Sequence, residues 1–327
     1  MRILLMFFLT FGKFAFADVN TANKFTLNLY KDLVSTTKLL HDSTIQNCSV
    51  PIVKLAYQNS FDAWIAASVI QFGPIQKLGG QISFSFWPDK RGFTKKKLIQ
   101  LIDEKNLSVS NNIDFQEISI AGKGFMALEQ LLYEETFINH KQKEYICLLI
   151  RSISQDLNIK AHYLEMNWRV KFQKETSNGT ANIESSLLHQ DELAAAYLTS
   201  IISGLKFNEI NRIGLPLGKF KKSRSKRAEA WRSSRSLRNI EISLKTLFEF
   251  SLLLSDKNLH VMEESFINAI KFIDTIDSNS FKNIHKIKYQ FQLESLLTLI
   301  RITRDAVSLE LSQHLGVISG FNALDGD

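Results

Sequence analysis

Apolar side chains recur along most of this chain three and four residues apart, the period of a helix with one buried face. Phe25, Leu29 and Leu33 predict a first helix that ends before Cys48. Ser49 followed by Pro51 marks a second start, and Ile52, Val53, Ala56, Trp64, Ile65 and Val69 carry its apolar face until Gly73-Pro74 stops it. Residues 75–93, with Gly79-Gly80 and Trp87-Pro88-Asp89, lack a helical period and read as an ordered loop. Thr94 is expected to cap a short helix through Glu104. Helical pattern resumes over 118–133 and from Lys141 to about Phe172.

The stretch 175–184, with Thr176, Ser177, Asn178, Gly179 and Thr180, is the most polar and least periodic of the chain, and is the expected domain boundary. Helical patterns follow over 186–208, 228–254, 259–276 and 284–315, with a Pro216-Leu217-Gly218 turn between the first two. Roughly eight helices result, enough for two helical bundles, 18–175 and 176–327. No strand-period segment longer than a few residues competes. The expected class is therefore all-α, in two helical-bundle domains compatible with a diverged duplication, although no repeat is evident in the sequence.

Composition agrees: 14 Gly and 4 Pro in 327 residues are too few for a turn-dense β-sandwich or barrel, and 45% hydrophobic residues argue against disorder. Arg2, the apolar run 3–11 and Ala15-Phe16-Ala17 ahead of Asp18 read as a secretory signal peptide over residues 1–17. No Cys follows the small residues, so a lipid anchor has no support. No later stretch is long and apolar enough to span a bilayer, so no transmembrane segment is expected in the mature chain. The formal charge of +7 changes meaning once it is located. Nine basic residues and one acid lie between Lys219 and Arg238, over an otherwise mildly acidic mature chain. Only Phe220 and Trp231 interleave with that basic run, and export removes the usual partner, so a nucleic-acid role is not expected.

Export also bears on Cys48 and Cys147, the two cysteines of the chain. In an oxidising compartment they are expected to form a disulfide rather than a metal or catalytic pair, two buried thiols being the alternative. Metal and nucleophile motifs are thin. His162, His189 and His260 each precede a glutamate by three residues, a spacing that helix surfaces favour without any metal. There is no HExxH, G-x-S-x-G, P-loop or GxGxxG. Polar residues stand out instead where bundle packing does not require them. Trp87 and Asp89 sit in a loop with Arg91 close behind, and Glu129 interrupts the apolar run 125–132. Glu229, Arg232 and Arg235 fall at i, i+3 and i+6 on one expected helix face. A carboxylate within an apolar face needs a partner, because burying it alone costs several kcal/mol. Arg232 or Arg235 could supply one.

Six ordered motifs together resemble the imelysin family, over nearly the whole mature chain. They are Phe72-Gly73-Pro74 after Trp64, Phe86-Trp87-Pro88-Asp89, Gly124-Phe125-x-Ala127-Leu128-Glu129-x-Leu131-Leu132-Tyr133, Pro216-Leu217-Gly218, Glu229-Ala230-Trp231-Arg232-Ser233-x-Arg235-Ser236, and Gly320-Phe321-Asn322 followed by Asp325-Gly326-Asp327. The closer likeness is to the bacterial branch of exported, imelysin-like proteins. The resemblance implies an all-helical fold of two bundles, a periplasmic setting, peripheral to the outer membrane in some members, and a link to iron uptake. It also carries a peptidase label. The family motif is GxHxxE, and Met126 stands here where the histidine belongs. A thioether is a poor substitute for imidazole toward zinc or ferric iron.

The expectation is therefore a non-catalytic periplasmic binding protein with a polar Arg/carboxylate site between two bundles. Glu129, Asp89, Glu229, Asp325 and Asp327 are the candidate ligand or metal-site acids, and Trp87, Arg91, Met126, Arg232, Arg235 and Asn322 support them. Iron or another divalent cation, or an anionic iron chelate, is the expected ligand. An envelope protein is the other partner considered. A metallopeptidase and a structural or adaptor protein of the envelope are the alternatives.

Overall fold

The computed structural model describes residues 19–46, 48, 50–172, 190–218, 222–278 and 280–317. Among the described residues there is no strand, and nine helices reach ten residues or more. They are α1 (Val19–Gln46), α2 (Val50–Ala67), α3 (Phe93–Glu104), α4 (Gly124–Tyr133), α5 (Lys143–Phe172), α6 (Gln190–Phe207), α7 (Ser236–Leu253), α8 (His260–Ile273) and α9 (Ile287–Ala306).

Helix α1 buries Leu27, Tyr30, Leu33 and Leu40 and runs along both α2 and α5. Its threonines do not break it, because Thr26 and Thr37 turn their hydroxyls back onto the carbonyls of Ala22 and Leu33 at 2.9 and 2.6 Å. Helix α5, about 45 Å long at 1.5 Å per residue, presents Leu149, Ile153, Leu157, Leu164 and Trp168 to the same core. The short α4 is buried on nearly every side and packs on α2, α3 and α5. Helices α6 to α9 pack mainly on one another, and α7 also reaches α1 and α2. One continuous apolar core runs through both groups. Tyr197 of α6 ties them by polar contacts as well, donating to Asn23 Oδ1 at 2.8 Å and meeting the Thr26 hydroxyl at 2.9 Å.

Cys48 and Cys147 are joined in a disulfide with Cα atoms 5.8 Å apart, pinning the α1–α2 connection to the start of α5. Closing a loop across a sequence separation of 99 removes about 4–5 kcal/mol of chain entropy from the unfolded state. No described helix is long and apolar enough to cross a membrane. The expected signal peptide and the polar stretch 175–184 lie outside the described residues.

Three local expectations are corrected. Gly92 and not Thr94 holds the cap position of α3, and the first amides are taken by the Asp89 carboxylate, Phe93 at 3.0 Å and Thr94 at 2.9 Å. The helix expected from 118 begins only at Gly124, whose φ of 73° interrupts it. A Cβ there would stand 2.2 Å from the Phe84 carbonyl oxygen, which accepts the Phe125 amide at 2.7 Å. The helix expected from 228 starts at Ser236, and the eight residues before it form a turn with Ala230 and Ser234 at φ 47° and 60°.

Candidate functional site

The turn 228–235 distributes its charged residues to three places, so Glu229, Arg232 and Arg235 do not share a helix face. Glu229 points into α6 and its continuation, the wide helical turn Asn208–Gly214. There Arg212 Nε donates to it at 2.7 Å and Asn239 Nδ2 at 2.9 Å. Arg212 also reaches Asn208 Oδ1 at 3.0 Å and lies over the Phe207 ring. Glu229, Arg212, Asn239 and Asn208 are all buried.

Arg235, 1% exposed, faces α2. It donates to the Gln58 carbonyl at 3.0 Å, to Gln58 Oε1 at 2.5 Å, to Asp62 Oδ1 at 2.5 Å and to Asn239 Oδ1 at 3.0 Å, with its guanidinium over the Phe61 ring. Arg238 takes the other edge of Asp62. Burial alone would raise the Asp62 carboxyl, but the hydrogen bonds and charges of Arg238 and Arg235 outweigh it and hold it below its ordinary range.

Glu129 is 0% exposed on α4. Its Oε1 accepts the Ser233 amide at 2.9 Å and the Ser233 hydroxyl at 2.8 Å, while Oε2 has no hydrogen-bond partner. Arg232 Nη1 stands 3.8 Å from Oε2, and Arg232 Nε donates to Glu134 at 3.1 Å. Lys95 Nζ holds the other Glu134 oxygen at 2.8 Å. Burial raises the Glu129 carboxyl above its ordinary value, with the Ser233 bonds and Arg232 only partly opposing. The Tyr57 hydroxyl is also buried without a partner, and its pKa is pushed up by burial first and then by the Glu129 charge. Of the two arginines considered as partners for Glu129, Arg232 fills the role and Arg235 does not.

Beside Arg232 opens a cleft of about 300 Å³. Residues 86–90, Met126 and Gln130 of α4, and Lys226, Arg227 and Trp231 are among the residues that line it. Trp87 and Asp89 line it as expected, but the Asp89 oxygens are committed to capping α3. Arg91 is exposed and does not line it. Glu229 sits in the separate Arg212 network. Asn322, Asp325 and Asp327 lie outside the described residues.

A family model described as Imelysin, of the peptidase M75 type, matches residues 27–299. The chain belongs to the imelysin family. Among solved structures, an imelysin-like protein from Psychrobacter arcticum 273-4 superposes with a TM-score of 0.75 at 18% identity, over 93% of this chain and 97% of that one. A protein described as an iron-regulated protein A precursor, from Parabacteroides distasonis ATCC 8503, gives 0.71 at 11% identity, over 93% and 97%. These likenesses carry the fold. A search among curated proteins finds no match.

Within this imelysin chain the GxHxxE positions do not compose a zinc or ferric centre. Met126 offers only a soft thioether, and Glu129 has spent one oxygen on Ser233. Among the described residues no three His, Cys, Asp or Glu side chains are grouped to hold a metal ion. The HxxE acids serve locally: Glu165 pairs with Arg169 and Glu263 accepts the Leu259 amide. Sequence reasoning missed Gln130, Glu134 and Ser233 around Glu129, and Gln58, Asp62 and Asn239 around Arg235. A signal for the second group exists. Gln58 and Asp62 are polar one helical turn apart beside the apolar Tyr57, Phe61 and Trp64, the same anomaly that singled out Glu129.

Proposed function

We propose that this imelysin-family chain is an exported, non-catalytic binding protein that serves iron acquisition, holding iron as an anionic chelate in the cleft beside Arg232. The observation that carries this reading is the charge of the cleft. Lys90, Lys226 and Arg227 line it with no carboxylate partner among the described residues, and they outnumber its one lining acid, Asp89, whose oxygens are turned to the α3 amides. Such a lining repels a bare cation and attracts an anion, with arginine suited to bidentate carboxylate binding. Glu129 behind Arg232 fixes the position of that guanidinium. The disulfide fits an oxidising compartment such as the periplasm, in accord with the signal-like N-terminus. The chain is read as two bundles, 18–175 and 176–327, with the cleft drawing residues from both.

Calorimetric titration tests it. Ferric citrate is expected to bind, ferrous ion alone not, and Arg232→Ala to weaken the chelate about tenfold. Protein purified from its own periplasm should carry iron by elemental analysis. No heat with the chelate and no iron in the isolated protein would overturn the reading.

A further inference from the structure

The turn 228–235 places side chains where a helix could not. On a helix, consecutive residues point about 100° apart and do not face each other. Here Ala230, with φ 47°, breaks that geometry, and Arg232 lies over the ring of its own neighbour, Trp231, at 4.4 Å. Lys226, from before the turn, lies over the same ring at 5.7 Å. The ring is partly buried and packs on the apolar core, so it forms an anchored platform under two long side chains. Left-handed backbone at a non-glycine residue costs energy, and such outliers cluster at ligand clamps.

The charge of the cleft gives that platform a use. Lys90, Lys95, Lys226, Arg227 and Arg232 line it against one acid, Asp89. Glu134 is shared by Lys95 and Arg232, so it offsets only part of the excess. Like charges on flexible stems repel and drift apart. Trp231 opposes that drift, because the negative face of its ring attracts both cations. A guanidinium held over a ring keeps its edge for hydrogen bonds. Arg232 gives only Nε to Glu134, and its two Nη atoms donate no hydrogen bond among the described residues, the nearer standing 3.8 Å from Glu129.

We infer that the cleft takes a small polyanion, two or more negative groups on one molecule, and that Trp231 is the positioning residue that holds Arg232 and Lys226 together to receive it. The cleft of about 300 Å³ is at the lower end of ligand-pocket size, which suits such a molecule. The inference rests on reading the cleft as an anion site, but it needs no iron: the platform responds to the charge of the ligand and not to a metal. A monoanion would engage one cation and gain nothing from the pairing of the two.

Calorimetric titrations at one ionic strength, so that screening is equal throughout, compare iron-free citrate and pyrophosphate with acetate. Both polyanions should bind, and acetate at least about tenfold more weakly. Trp231→Leu removes the ring face and should weaken both polyanions about fivefold, whereas Trp231→Phe keeps a smaller face and should cost less than about twofold. A double-mutant cycle separates positioning from a general loosening of the turn. Lys226→Gln should weaken citrate several-fold in the native protein and less than about twofold in the Trp231→Leu background, while Arg227→Gln should cost the same in both. Acetate binding as tightly as citrate, equal losses in the Leu and Phe variants, or additive losses at Trp231 and Lys226 would overturn the inference. The reading beneath it fails differently. If neither the free polyanions nor ferric citrate binds the native protein, both fall; if ferric citrate binds the native and Trp231→Leu proteins alike, or binds while the free polyanions do not, this inference falls alone.

Discussion

Glu129 and Asp62 are carboxylates served by the same turn, only a few residues apart in their partners, and they end in opposite electrostatic states. Asp62 is gripped by Arg235 and Arg238 and is held below its ordinary pKa. Glu129 receives Ser233 on one oxygen, sees Arg232 at 3.8 Å across the other, and is pushed up. The difference lies in the alternatives open to each arginine. Arg235 is wholly enclosed and spends its donors on Gln58, Asp62 and Asn239, so it works as a fastener between α2 and the start of α7. Arg232 divides itself between Glu134, the Trp231 ring and the cleft, so it keeps capacity for a ligand.

The largest effect should come from cutting the fastener. Arg235→Met takes from Asp62 its buried partner, leaving only the exposed Arg238, strips Gln58 and Asn239 of the same donor, and should cost about 3–5 kcal/mol by urea unfolding. Arg238→Ala, whose guanidinium is exposed, should cost less than about 1 kcal/mol. A small loss at Arg235 would mean that the two regions differ less than their geometry says. Glu129→Ala comes next, at roughly 2 kcal/mol, since it abandons the Ser233 amide inside a packed helix. Glu129→Gln keeps an acceptor for Ser233 and removes the buried charge, so it should change stability at neutral pH by under about 1 kcal/mol.

Smaller still, and most specific, are the pH dependences. Asp62 has a depressed pKa, so its contribution is present above the unfolded value near ~3.9 and is lost as pH falls through the folded value. Glu129 has a raised pKa, so its contribution is present below the unfolded value near ~4.3 and is lost as pH rises through the folded value. Relative to Asp62→Asn, the native protein should therefore lose its advantage toward acid. Relative to Glu129→Gln it should lose ground toward neutral pH. Denaturant midpoints across pH 3–7 check both signs, and parallel curves would dissolve the contrast.

Much of this was legible in the sequence, for identifiable reasons. Long amphipathic periods such as those of α1 and α5 announce themselves, and two cysteines in a chain with an export-like start pair as expected. The motif residues Trp87, Met126 and Arg232 do come together on one cleft. What could not be read was the turn 228–235, because Ala-Glu-Ala-Trp-Arg contains neither Gly nor Pro and has good helical period. Its left-handed Ala230 and Ser234 cost energy that is offset by the tertiary hydrogen bonds of Ser233 to Glu129 and Arg235 to Asp62, and by the local bond of the Ser236 hydroxyl to the Glu229 carbonyl at 2.7 Å. The partners of those bonds lie more than a hundred residues away in the case of Glu129 and Asp62, beyond any local pattern. Asp89 was misjudged for a related reason, since a capping carboxylate and a ligand carboxylate look alike until its oxygens are seen to be taken.

The bond between Cys48 and Cys147 has a topological consequence for the cleft. Residues 86–95, Met126 and Gln130 all lie inside the covalent ring it closes, whereas Lys226 to Arg232 lie outside. A protease that nicks any exposed loop between the two cysteines, such as that near Leu107, converts the ring into two strands still joined at one point. The wall that carries Gln130 then cannot diffuse away from the molecule. On a gel such a nicked protein migrates as one species without reductant and as two with it, and the anion binding proposed for the cleft should survive the cut and vanish with the reductant.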